Sequence, residues 1–371
     1  MERIRNHWSG WLLLLLWAVL LLSFPNQSLE GARKGVRLCL DLILPSLFPF
    51  FVLSSLLIAT GFAAACARVL GRILSPLFGV SGRGAAALLL GAVGGYPVGA
   101  RTLAELVRTG QCTRAEARRL SLFCNNCGPA FFIGAAGAGI FGRKEAGFLL
   151  LGANLAAACL LGLLTHLLWG RVKSAEVPGE RKEPYPPVLQ ALPDCVQGAF
   201  TSSLGVCAYV ILFSVLVTLL DCTGGLSTLL EGMGRLLPGE HGGALCRALL
   251  TGFLEMSTGT AALAESVVSP AALPMAGFML GWGGLSVHCQ SLPFWREAGV
   301  PTSPYLAAKL AQGVLSAALV TAWTRFFPIT APVMAAHSFS PPVSLVRWEL
   351  GTLWLLAGLW FFWRTTKKGW K

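Results

Sequence analysis

The chain has 371 residues, of which 54% are hydrophobic and only 12% charged, and its formal net charge is +12. Soluble domains carry about 25% charged residues, so this composition excludes an ordinary soluble protein. Apolar runs at residues 11–22, 148–168 and 209–220 are typical of membrane spans. We therefore expect a single membrane domain over residues 1–371, with basic residues that flank the spans rather than contact nucleic acid.

The first half begins with a predicted span at 8–24, a proline-containing span at 38–60 and an interfacial helix at 62–78. Two interrupted apolar segments follow, at 84–107 with GGYPVG near its middle and at 113–140 with CNNCGP near its middle. A clean span is predicted at 144–169. A polar linker, rich in charge and proline, is predicted at 171–193.

The second half repeats this order. A span at 196–220 precedes an interrupted segment at 242–266, which contains FLEMSTGT. A second interrupted segment at 271–295 contains GGLSVHC, and a span follows at 305–326. These patterns predict a first repeat over residues 36–170 and a second over 194–326, with one final transmembrane helix at 343–363 outside the repeat.

The sequence itself supports the repeat. A shift of 160 residues gives seven identities in the 24 positions from 84 to 107, among them Gly99 with Gly259 and Leu103 with Leu263. Interrupted apolar segments survive in a membrane only inside protein or along a cavity, because lipid cannot satisfy their backbone groups. We predict an all-α polytopic membrane protein with an inverted-repeat, transporter-like fold, two re-entrant hairpins and two broken helices.

The inversion follows from counting crossings. If residues 84–107 re-enter, three crossings separate equivalent points of the two repeats, and an odd number inverts the second copy. Basic residues near both ends of the chain place both termini in the cytoplasm. The basic stretch 33–37, taken as a loop, fits this orientation less well.

In the first repeat, the candidate substrate-binding residues lie at the two interruptions: Tyr96, Pro97, Arg101, Asn125, Asn126 and Gly128. Gly128-Pro129 should free carbonyl groups upstream, and the helix that follows should present amide groups to an anion. A simple kink or a helix–helix bond from the asparagines would give the same pattern. Arg101 could clamp a carboxylate or pair with Glu105.

The candidates in the second repeat are Ser257, Thr258, Ser286, His288 and Gln290. Glu255 and His288 are ionisable groups in apolar surroundings, which suggests coupling to an ion or a proton. The alternatives are a structural histidine and a glutamate paired with a nearby arginine.

Catalytic motifs such as GxSxG, HExxH and the Walker A loop are missing from the sequence, so we do not expect an enzyme. The single CxxC pair, Cys124 and Cys127, is a weak metal signal, and we expect neither a metal site nor a cofactor.

The string GGYPVGARTLAELVRTGQCTRAEARRLSLFCNNCGPAFFIG, residues 94–134, resembles the YlbJ-type sporulation integral membrane proteins, and the likeness extends more weakly over residues 36–326. This family carries the nucleoside recognition or Gate domain, also found in concentrative nucleoside transporters and ferrous iron permeases. The resemblance implies export of dipicolinic acid from the mother cell toward the forespore, across the outer forespore membrane of a sporulating bacterium.

Three functions remain open from the sequence. Dipicolinate is a small, planar, doubly anionic ligand that would suit helix-end amides, asparagines and a stacking surface near Tyr96 or Trp282. A nucleoside or nucleobase transporter of the same fold and a non-transporting spore-envelope scaffold are the alternatives. The expected partners are a small-molecule anion, the lipid bilayer and a coupling ion, H⁺ or Na⁺. Nucleic acid is not expected, and a homodimer is left open.

Overall fold

The computed structural model describes residues 8–172, 185–226, 242–266 and 271–326. Every regular element in these ranges is a helix, which confirms the predicted all-α polytopic class. Four helices of the described residues are long and apolar enough to cross a membrane: Pro25–Leu57, Lys144–Trp169, Val188–Cys222 and Thr302–Phe326. Their outer faces expose large apolar side chains such as Leu167 and Leu168, as lipid contact requires.

The chain begins with a helix at Trp8–Ser23 and a longer one that runs from Pro25–Leu38 through a π-helical turn at Cys39–Ile43 into Leu44–Ala59. The loop expected at residues 33–37 is therefore wrong, because these residues are helical. Pro25 stands at the first position of this helix, where a backbone N–H would have no partner within the helix, so its absence costs no hydrogen bond.

Two glycines let this polar helix pack closely against another helix. A Cβ atom on Gly31 would lie 2.9 Å from the Cα of Val215, and one on Gly35 would lie 2.8 Å from the Cα of Ile211. The glycines thus let the backbone approach the long helix Val188–Cys222, in the manner of small residues at membrane helix interfaces.

The first hairpin consists of two helices, Gly82–Gly94 and Val98–Arg108, joined at the cis peptide bond between Tyr96 and Pro97. It follows a helix at Phe62–Phe78. The first broken segment comes next, with a helix at Arg114–Leu120, an irregular stretch around CNNCGP, and a π-helical segment at Ala130–Ile140.

The clean span at Lys144–Trp169 agrees with the prediction. The next helix, Val188–Cys222, begins inside the linker predicted at 171–193, so the predicted end of that linker is wrong. Pro193 stands inside this helix, one turn after its start, where a proline is typical of a linker or a helix boundary.

The second hairpin comprises Gly242–Leu254 and Met256–Ser266, with Glu255 at its tip. The second broken helix comprises Ala272–Trp282 and Gly284–Glu297, separated by Gly283 in the left-handed region with φ 93°. The last described helix, which we call the lysine helix, is Thr302–Phe326. The final transmembrane helix predicted at 343–363 lies outside the described residues.

Glycine pairs close both hairpins. A Cβ on Gly91 would lie 3.1 Å from the Cα of Gly99, and one on Gly259 would meet the Cα of Gly252. Gly99 and Gly259 correspond under the 160-residue shift and hold the same place in their hairpins. The inversion of the second repeat stays a prediction.

The second broken helix and the lysine helix are also in backbone contact. A Cβ on Gly281 would lie 2.8 Å from the Cα of Gly313. Gly313 stands one helical turn beyond Lys309, so this contact lies close to the lysine.

Candidate functional site

Residues at all four interruptions line one cavity. Its volume of about 450 Å³ includes open solvent at the mouth, and the enclosed part is only about 30 Å³. The first hairpin and the first broken segment contribute Tyr96 and Gly128, and the second hairpin and the second broken helix contribute Ser257 and Gln290. The remaining lining is largely apolar: Leu47, Phe50, Phe51, Val93, Gly94, Gly95, Cys127, Ala130, Phe131, Val206, Met256 and Val287.

Close backbone contacts hold the interruptions together. A Cβ on Gly95, whose φ is 75°, would lie 2.8 Å from the amide nitrogen of Gly128. A Cβ on Gly284 would lie 3.0 Å from the amide nitrogen of Met256. The two halves meet where a Cβ on Gly283 would lie 3.0 Å from the hydroxyl oxygen of Tyr96. Glycine is required at these points because any side chain would separate the segments.

A buried lysine lies behind the cavity. The side chain of Lys309 is 0% exposed, and its ammonium donates hydrogen bonds to the main-chain oxygen of Asn125 at 2.9 Å and to Oε1 of Gln312 at 2.8 Å. None of the ion pairs among the described residues involves Lys309. The same ammonium lies 5.2 Å from the centroid of the Tyr96 ring, and Tyr96 also lines the cavity.

Amide side chains extend this arrangement into what we call the lysine network. Nε2 of Gln312 donates to Oδ1 of Asn126 at 2.7 Å and contacts Oδ1 of Asn154 at 3.2 Å. Nδ2 of Asn126 donates to the Phe123 carbonyl at 2.8 Å. Buried polar groups that are satisfied in this way keep a unique arrangement in a low-dielectric interior.

Asn125 connects the network to an aromatic cluster. Its Nδ2 donates to Oγ of Ser291 at 3.1 Å and to the hydroxyl of Tyr305 at 3.3 Å. Nδ1 of His288 lies 3.0 Å from the same hydroxyl, and Trp282 packs against the edge of the imidazole with ring centroids 4.3 Å apart. His288 is therefore anchored at Nδ1, while its Nε2 has no hydrogen-bond partner within the described ranges.

Glu255 is buried at the tip of the second hairpin and binds the start of the following helix. Its Oε1 accepts from the amide of Ser257 at 3.0 Å, and its Oε2 accepts from the amide of Thr258 at 2.6 Å. The carboxylate thus caps the helix Met256–Ser266 and faces its positive dipole end. An arginine partner, the alternative considered from the sequence, is not what holds it.

Comparison with known proteins shows the family of the chain. Residues 41–144 match the family model described as Gate, nucleoside recognition. The sporulation integral membrane protein YlbJ of Bacillus subtilis (strain 168) is 31% identical over 323 residues, which cover 81% of this chain and 78% of that protein. The chain belongs to the YlbJ family of sporulation integral membrane proteins.

Solved structures similar to this YlbJ-family chain include CNTnw. A CNTnw variant in the intermediate 1 state has a TM-score of 0.49 and 13% identity, with 86% of each chain covered. CNTnw in an inward-facing substrate-bound state has a TM-score of 0.44 and 13% identity, with 84% of this chain and 86% of that chain covered.

The predicted site residues fall into three groups in this YlbJ-family protein. Tyr96, Gly128, Ser257 and Gln290 line the cavity. Asn125, Asn126 and His288 lie in the polar structure behind it, and Ser286 is buried with an Oγ that has no partner among the described residues. Pro97 caps the second arm of the first hairpin, and Thr258 bonds Glu255.

Arg101 does not join the site. It is exposed on the second arm of the first hairpin, and Glu105 forms its ion pair with Arg108 at 2.6 Å instead. The ion pair of Glu105 is thus with Arg108 rather than with Arg101, and the use of Arg101 as a substrate clamp stays a prediction.

Sequence reasoning missed Lys309, Gln312, Asn154, Tyr305 and Ser291. A signal for the first of these was present, because a lysine inside an otherwise apolar span is a functional candidate by default.

Proposed function

We propose that this YlbJ-family protein transports a small organic anion, and specifically dipicolinic acid from the mother cell toward the forespore. The observation that carries the proposal is the buried ammonium of Lys309, bonded to two uncharged oxygens. An ammonium taken out of water costs several kcal/mol unless an opposite charge or good hydrogen bonds compensate it. A charge retained at such a position favours an anion nearby.

The lining of the cavity offers groups that a flat, charged ring would contact once the cavity opens to admit it. Tyr96 and Phe131 provide aromatic surface, and Ser257 and Gln290 provide polar groups. The ammonium lies 5.2 Å behind the Tyr96 ring, so its field reaches the cavity through a medium of low dielectric constant. The YlbJ family membership supports the sporulation context, and the outer forespore membrane and cytoplasmic termini are part of this proposal.

A nucleoside is the second candidate substrate. The family model described as nucleoside recognition covers both Tyr96 and the asparagine pair, Asn125 and Asn126. An aromatic cavity would also stack on an uncharged base. The two substrates differ in their need for Lys309, because only the anion requires its charge.

The test is uptake of labelled dipicolinate into proteoliposomes that contain the full chain. We expect saturable uptake by the wild type and an initial rate at least tenfold lower for Lys309→Ala. Lys144→Ala and Arg101→Ala remove exposed positive charges and should stay within twofold of the wild type. Uptake of labelled uridine but not of dipicolinate would favour the nucleoside.

A third outcome concerns the scaffold alternative. If no imposed proton or Na⁺ gradient gives dipicolinate or uridine uptake, transport is contradicted. Hairpin-tip variants such as Gly95→Ala should then still support sporulation, whereas a transporter should lose that support.

A further inference from the structure

The ammonium of Lys309 is bound by two uncharged oxygen atoms. It bonds the main-chain oxygen of Asn125 and the amide oxygen Oε1 of Gln312. Uncharged carbonyl and amide oxygens are the ligands that proteins offer to alkali cations in membranes.

The break in the first broken segment explains why the Asn125 carbonyl is available. In a continuous helix this oxygen would accept from the amide four residues later, at position 129. That residue is Pro129, which has no N–H to donate. A buried carbonyl left without a donor needs another partner, and a cation supplies one.

We propose that Lys309 is a tethered cation that fills a monovalent cation site, so that the wild-type protein needs no Na⁺ at this position. Removal of the ammonium leaves the Asn125 and Gln312 oxygens around a space that Na⁺ and water enter. The ion site rests on this geometry alone. Only its meaning for coupling, namely transport without Na⁺, rests on the proposed function.

The experiment measures thermal unfolding of the purified full chain in detergent as NaCl replaces choline chloride at constant ionic strength. The wild-type midpoint should be independent of Na⁺. The midpoint of Lys309→Ala should be lower in choline and should rise by several degrees, saturably, as Na⁺ is added, because a ligand of the folded state stabilises it. A flat response of Lys309→Ala, or an equal Na⁺ response of the wild type, overturns the proposal.

Two controls separate the site from general salt effects. Lys309→Met fills the space with an uncharged side chain of similar length and should not respond to Na⁺. The double variant Lys309→Ala/Gln312→Leu lacks one of the oxygens and should respond more weakly than Lys309→Ala. Should Lys309→Ala unfold in choline, recovery of its folded state in NaCl supports the proposal, and failure to recover in either salt counts against it.

Uptake measurements keep this proposal distinct from the proposed function. If dipicolinate is transported, the wild-type rate should be the same in NaCl and in choline chloride, and a strict need for Na⁺ contradicts the tethered cation. If dipicolinate is not transported at all, the proposed substrate fails, while the Na⁺ response of Lys309→Ala still decides whether the ion site exists.

Discussion

The ammonium of Lys309 donates to the main-chain oxygen of Asn125. In a continuous helix this oxygen would accept from the amide of residue 129, but Pro129 has no N–H to donate. A side chain of the lysine helix thus supplies the hydrogen bond that the first broken segment lacks. The lysine network and the cavity share Tyr96, so a change in the charge of the network should be felt by a ligand in the cavity.

Gln312→Glu tests that charge without removing the lysine. A carboxylate at this position would pair with the ammonium, because the present Oε1 lies 2.8 Å from it. We expect dipicolinate to bind at least tenfold more weakly, a loss of about 1.4 kcal/mol. The measurement is calorimetric titration, with Gln197→Glu as a control that adds the same charge at an exposed position. Equal affinity of Gln312→Glu and the wild type would contradict attraction by Lys309.

Gly95→Ala tests the contact between the first hairpin and the first broken segment. A methyl group would lie 2.8 Å from the amide nitrogen of Gly128. Gly110→Ala is the matched control, because Gly110 also has a positive φ, 68°, but nothing lies within 4 Å of its added Cβ. Alanine is disfavoured at both positive φ values, and more strongly at Gly95, whose ψ of −168° places it in a region almost confined to glycine. Only Gly95→Ala should lower the unfolding midpoint further and abolish uptake.

Two tyrosine-to-phenylalanine variants should behave differently. The hydroxyl of Tyr96 has no hydrogen-bond partner among the described residues, whereas that of Tyr305 contacts Asn125 and His288. We expect Tyr96→Phe to keep stability and affinity near the wild-type values. Tyr305→Phe should lose about 1 kcal/mol of unfolding free energy for the broken hydrogen bonds. The unfolding midpoints of both variants provide the check, and the reverse order would refute this division.

Glu255→Ala should destabilise the second hairpin. The amides of Ser257 and Thr258 would lose their acceptor, and loss of a helix cap costs about 1 kcal/mol. Glu145→Ala removes an exposed acid from the first turn of another helix and should have little effect. Thermal unfolding of the two variants gives the comparison. If Glu255→Ala unfolds at the wild-type temperature, the capping role is wrong. Its role in coupling stays a prediction, which Glu255→Gln in the uptake assay addresses.

The interruptions could be predicted from the sequence because each depends on a few adjacent residues with strong conformational preferences. Glycine, proline and asparagine in apolar segments leave few alternatives to a turn or a break, and the hairpin around Tyr96 and the break around Pro129 follow directly. The helix at Pro25–Leu38 was missed because its polar residues resemble a loop. Only its partner, the long helix at Val188–Cys222, explains its packing.

Lys309 was missed for a different reason. The comparison of the two repeats directed attention to matching interruptions, and the 160-residue shift pairs Lys309 with Leu149, in the clean span of the first half. Arg101 attracted notice because it follows the first tip in sequence. Distance along a helix does not reveal the direction of a side chain, and this one is exposed and does not line the cavity.

The backbone contact between Gly281 and Gly313 bears on how the ammonium could be relocated. Because the two main chains lie in close contact at these glycines, the lysine helix is packed against its neighbour in one register. A lysine introduced at Gln312, combined with Lys309→Gln, would therefore start from another angle and miss the Asn125 carbonyl. An exchange of the two side chains should not restore the wild-type arrangement, although the composition of the protein would be unchanged.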